Sequence, residues 1–217
     1  MNTPVYKETY QGHQIAIHHD TDPMSPRDWD NLGIMICKHR RYNLGDNHDF
    51  SDARQFLLDL CDLSEESELS LDRMMAIATT KAIILPLFLY DHSGITMNTT
   101  GFHCPWDSGQ VGFIYATLKS IREEYSVKRV SSSLRQRVSE QLKAEVATYD
   151  NYLTGNSFGY TITKIADGGI SEASVPPAAT TPAANCLLYP TFSISGIAIR
   201  ANTAAVATDD SAQGKLL

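Results

Sequence analysis

The sequence predicts an α+β protein: a mostly antiparallel sheet with helices packed on one face, and an Ala/Thr-rich C-terminal tail. Three observations lead there. Segments near the start and near residue 160 alternate apolar and polar side chains, the period-two pattern of strands. Residues 83–90 are nearly all apolar, as in a buried central strand. Between 134 and 153 apolar residues recur every third or fourth position, which is one stripe of an amphipathic helix.

Taken in order, residues 5–10 and 14–18 alternate around Gln11-Gly12-His13 and form a β-hairpin. Residues 21–31 hold Pro23, Pro26 and several Asp and Asn, hence a loop. A strand follows at 32–38, then a polar, Gly-containing loop at 40–49. Ser51 or Asp52 caps a helix running to about Leu63, with Phe56, Leu57, Leu60 and Leu63 on one face. Ser70 caps a second, short helix through Met74, Met75, Ile77 and Ala78. The strand at 83–90 contains Pro86, which cannot donate to a ladder. Residues 95–98 pair with it across Asp91-His92-Ser93-Gly94. Another strand spans 111–115 and a short helix 118–125.

The long helix starts at Ser132 or Ser133 and buries Leu134, Val138, Leu142, Val146, Tyr149 and Leu153. Gly155 ends it in the left-handed conformation. A closing strand takes up 158–165. After Asp167 the composition turns to Ala, Thr and Ser with few charges, and 175–182 reads as an extended linker. The apolar piece 191–199 alternates weakly and is a further strand candidate. Residues 1–166 are therefore expected to form a single α+β domain, and 167–217 a linker-like, low-charge extension.

Bulk properties narrow the partners. Of 217 residues, 42% are hydrophobic and 20% charged, enough apolar material for a core. The longest apolar run, 82–90, falls well short of the roughly 18 residues a membrane span needs. No basic region followed by an apolar one opens the chain, so no secretory signal is expected. The four Cys (Cys37, Cys61, Cys104, Cys186) are widely spaced, without a CxxC, and reduced cytoplasmic thiols are the expectation. Lys and Arg total 18 against 25 Asp and Glu, a formal net charge of -7, which argues against nonspecific nucleic-acid binding.

Three polar segments combine glycines, aromatic residues, and His or Asp. They run through 28–46, 85–94 and 104–112, each at the end of a predicted strand, where binding groups usually sit. His18, His19, Asp20 and Asp22 cluster, as do His39, Asp46, His48 and Asp49. Their spacing does not put ligands on one helix face, so no metal and no cofactor is expected. Cys104 is a candidate thiolate, with His92 or His103 as base, Asp91 or Asp107 as orienting group, and the Ser108 and Gly109 amides as oxyanion hole. The structural alternative makes 105–109 a tight turn, with Asp107 accepting amide bonds and Gly109 supplying positive φ. Arg40 and Arg41 beside Tyr42 suit a phosphate or a stacked base; the alternative is a salt bridge to Asp46, Asp28 or Asp30. No glycine-rich phosphate cradle is present.

Four strings within these segments, WDNLG from Trp29, HRRYNLGD from His39, LYDHSG from Leu89 and CPWDSGQVG from Cys104, resemble a family of small proteins encoded by bacteriophages and plasmids. The likeness spans residues 15–160 and does not extend into the tail after Asp167. It carries no activity and no catalytic residues. It implies a mobile-element accessory role, such as countering host defence by an anti-CRISPR or anti-restriction route. The leading expectation is a non-catalytic protein that binds a host protein or nucleoprotein in the bacterial cytoplasm. Its candidate binding residues are Trp29, Asp30, His39, Arg40, Arg41, Tyr42, Asp46, Trp106 and Asp107. The alternative is a small hydrolase or nucleotide-processing enzyme built on Cys104, His92, Asp91 and Asp107.

Overall fold

The computed structural model describes residues 3–166 and, beyond them, the strand segments Gly169–Ile170, Phe192–Ile194 and Ile197–Ile199. The expected linker at 175–182, and Cys186, lie outside the described residues. The elements run β1 (Tyr6–Tyr10), β2 (His13–His19), a 3-10 turn (Pro26–Asp28), β3 (Ile34–Cys37), α1 (Ala53–Cys61), α2 (Leu71–Lys81), β4 (Ala82–Asp91), β5 (Ile95–Asn98), β6 (Ser108–Thr117), α3 (Leu118–Glu124), α4 (Ser132–Leu153), β7 (Phe158–Ala166), β8 (Gly169–Ile170), β9 (Phe192–Ile194) and β10 (Ile197–Ile199). The chain falls into two compact units, one made of Met1–Asp20 with Phe158–Leu217, the other of Thr21–Ser157.

In the first unit, β1, β2, β7 and β8 form an antiparallel sheet in that order. The β1–β2 hairpin turns on Gln11 and Gly12, at φ 47 and 75. Two successive positive φ values match the right-handed twist of the flanking strands, and Gly adopts one without strain. Strand β7 runs beside β2 from His19↔Phe158 to His13↔Lys164. The tail's apolar piece does not join this sheet; β9 and β10 pair with each other.

The second unit is built on a sheet of order β3-β6-β4-β5, antiparallel throughout. Strands β3 and β6 are apolar on both sides. On β3, Met35 and Cys37 enter one cluster and Ile36 the other; on β6, Ile114 and Ala116 side with the first, Phe113 and Tyr115 with the second. Helices α3 and α4 cover the first face through Ile121, Val138, Leu142, Val146 and Tyr149. Helices α1 and α2 cover the second through Phe56, Leu57, Leu58, Cys61, Met74 and Ala78. The α+β class holds, but the helices lie on both faces rather than one. A sheet whose central strands are apolar on both sides cannot be sealed by a single helical layer.

Local chemistry sets the element ends. The Asp52 side chain accepts from Gln55 N at 2.9 Å to start α1, and Ser70 accepts from Arg73 N at 3.4 Å to start α2. The cap of α4 is Ser131, one residue before the expected start, accepting from Leu134 N at 3.2 Å. Gly155, at φ 74, takes the left-handed conformation after α4. Pro86 is accommodated because β5 pairs with β4 only over Phe88–Asp91; at Pro86 the strand has β6 on one side and an open edge on the other.

Candidate functional site

Three loop segments meet at one end of the second unit's sheet. They line a depression of about 390 Å³, with Lys38, His39, Arg40 and Arg41 from the loop after β3, Leu89 and Asp91 from the end of β4, and residues 106–111 from the start of β6. A second depression, of about 420 Å³, shares Lys38 and His39 and is otherwise lined by Cys37, Tyr42, Asn43, Asp46, Asn47, His48 and Asp49. Thus the segments around 39–42, 89–91 and 106–111 converge, while Trp29, Asp30 and Cys104 line neither depression.

The strand ends hold the loops in place. Asp91 N donates to the carbonyl of Asp107 at 2.8 Å, tying the end of β4 to the start of β6. The Arg41 guanidinium pairs with the Asp91 carboxylate, and Tyr42 Oη donates to the other Asp91 oxygen at 3.3 Å. His39 stacks on Tyr42 with ring centroids 5.1 Å apart, and Arg41 lies 5.4 Å from the same ring. Arg41 therefore has a salt bridge, but to Asp91 rather than to Asp46, Asp28 or Asp30. Lys38 and Arg40 are exposed, and neither has an ion-pair partner among the described residues.

The turn before β6 departs from both expectations for it. Among the described residues no backbone amide donates to Asp107: its Oδ2 lies 3.1 Å from His92 Nδ1 and takes the Cys104 thiol at 3.7 Å. Gly109 does not have positive φ; it lies within β6 opposite Leu89. The turn is pinned instead by Ser108 Oγ donating to the Cys104 carbonyl. A nucleophilic triad requires the imidazole to hold the thiol. Here Cys104 and His92 both address Asp107, so the carboxylate stands between nucleophile and base. His103 is exposed, and the Ser108 and Gly109 amides sit in a paired strand.

Between these contacts the turn projects Trp106, a residue 92% exposed. By contrast Trp29 is half-buried at the end of the 3-10 turn, where its backbone N–H donates to Pro26 O at 3.3 Å.

Asp46 belongs to a separate, interior network. Arg27 is enclosed, its side chain only 5% exposed, and donates through Nε and Nη2 to both Asp46 oxygens at 2.8 and 2.7 Å. Its Nη2 also donates to Gly33 O, and Nη1 lies 3.6 Å from Glu145. Met35 N donates to Asp46 and Gly33 N to Glu145. Burial opposes the Arg27 charge, but Asp46 and Glu145 outweigh it and hold the guanidinium protonated. Burial pushes the nearby Cys37 thiol up to about 12, and the Asp46 charge adds to the effect. Asp46 thus joins the loop to β3 while lining the second depression.

Among the described residues no group of three or more His, Cys, Asp or Glu is placed to hold a metal ion, and no helix is long and apolar enough to cross a membrane. Lys38 and Gln110 enter the lining without having been singled out as candidates; the basic flank of the His39-Arg40-Arg41 string was the available signal for Lys38. No family model, curated protein or solved structure matches the chain.

Proposed function

We propose that the chain is a non-catalytic binding protein that engages a host protein or nucleoprotein through the Trp106 surface, as an accessory factor of a phage or plasmid. The observation that carries the reading is the exposure of Trp106 on a turn pinned at both ends. Burying an indole removes on the order of 150–250 Å² from water, and at about 25 cal/mol per Å² this is worth roughly 4–6 kcal/mol. A ring left in solvent holds that free energy in reserve for a partner, and a rigid turn lowers the ordering cost of binding. Trp and Arg are enriched among the hot spots of interfaces, and Arg40 and Arg41 stand in the same depression. The mobile-element setting rests on the phage- and plasmid-like strings, three of which contribute to this surface.

The test is affinity capture from bacterial host lysate with the whole chain and with Trp106→Ala. A partner retained by the first and lost by the second, at equal thermal stability, is the expected result. An identical captured set overturns the reading.

A further inference from the structure

We propose, resting on that binding reading, that the Trp106 depression receives an acidic segment of a protein partner, whose carboxylates meet Lys38 and Arg40 while an apolar side chain packs on the indole. The local charge points there. Arg41 is already matched by Asp91, and Asp107 is engaged by His92 and Cys104. Lys38 and Arg40 are the exposed cations left without an ion pair among the described residues of the lining. They form a small region of reversed sign on a chain of net charge -7. A guanidinium offers a planar fork that fits a carboxylate. Val111, partly exposed, contributes apolar surface to the same lining.

The overall charge then selects between anionic partners. At physiological salt the Debye length is about 8 Å, so a short acidic peptide feels chiefly the two nearby cations. A nucleic-acid strand is an extended polyanion; it gains affinity by neutralising many phosphates, and an acidic protein surface repels the rest of its length. The arrangement therefore favours an acidic peptide segment over RNA or DNA.

The experiment uses the whole chain and three dye-labelled probes followed by fluorescence anisotropy: a short peptide of Glu, Asp and Leu, the same peptide with Lys in place of the acids, and a thymidine oligonucleotide. The acidic peptide is expected to bind saturably, and at least tenfold more weakly to the Lys38→Glu/Arg40→Glu double variant. The lysine peptide and the oligonucleotide are expected to bind more weakly than the acidic one. Acidic-peptide binding that survives the charge reversal, or tighter binding of either other probe, overturns the proposal. The lysate capture separates the two levels. A partner lost with Trp106→Ala but retained by Lys38→Glu/Arg40→Glu leaves the binding reading standing and removes the acidic segment. A partner retained by Trp106→Ala removes both.

Discussion

A methyl group added at Gly112 would sit 1.9 Å from the Ile36 carbonyl oxygen, backbone against backbone, where β3 and β6 run side by side. Neither atom is the end of a flexible side chain, so a strand must move. Gly112→Ala is expected to cost about 1–3 kcal/mol, as overpacked sites do, read from the urea midpoint. Gly109 in the same strand has nothing within 4 Å of a Cβ, and Gly109→Ala is expected to stay within about 0.5 kcal/mol. Equal losses at the two positions would contradict this reading of β6. Glu145 gives a second residue-scale outcome. Burial raises its pKa above the ordinary 4.5, against the lowering effects of Arg27 and of the Gly33 and Leu32 amides. A carboxyl raised in the folded state contributes its stability fully below the unfolded value and loses it as pH rises through the folded one. Glu145→Gln keeps an acceptor for Gly33 N and removes that dependence. Its stability relative to the parent chain is therefore expected to improve between pH 4 and pH 7. A difference in melting temperature that stays flat or falls over that interval would show that the Arg27 contact outweighs burial.

Helix α4 shows how one element serves several neighbours at once. Its stripe of Val138, Leu142, Val146 and Tyr149 lies against the sheet, and all four are buried. Asp150, on its last turn, accepts from Met97 N and Thr96 Oγ1 at 2.7 Å each, closing part of the β5 edge. Tyr149 Oη accepts from Gly45 N at 3.0 Å, fixing the loop after β3. Leu142 is fully buried at the centre of the stripe. Leu142→Ala is expected to cost about 2–5 kcal/mol by chemical denaturation. Lys143→Ala, one position away on the exposed side, is expected to change stability by less than about 0.5 kcal/mol. A small loss at Leu142 would mean that the sheet repacks around the vacancy.

For the whole molecule, both hydrophobic clusters lie within Thr21–Ser157. A fragment of those residues is expected to unfold cooperatively on its own, followed by circular dichroism on heating. A chain ending at Ala166 is expected to remain folded too, since it keeps β1, β2 and β7 in their pairing. Loss of cooperative unfolding in either would show that the two units, or the tail, depend on each other for stability.

Several features were readable from neighbouring residues alone. The Gln11-Gly12 turn, the caps Asp52 and Ser70, the left-handed Gly155 and the α4 stripe each depend on residues a few positions apart, and period and cap chemistry are local. The three polar segments were legible for the same reason: glycine, proline and aspartate mark strand ends. Tertiary structure alone decided the β3-β6-β4-β5 order, the two helical layers, and the pairing of β7 with β2 across most of the chain. It also chose among carboxylates that look alike in sequence, giving Asp91 to Arg41 and Asp46 to Arg27. It left Trp106 in solvent while half-burying Trp29. Partner choice and exposure depend on which distant surfaces the packed sheet brings within a few ångströms, and no short-range pattern encodes that distance.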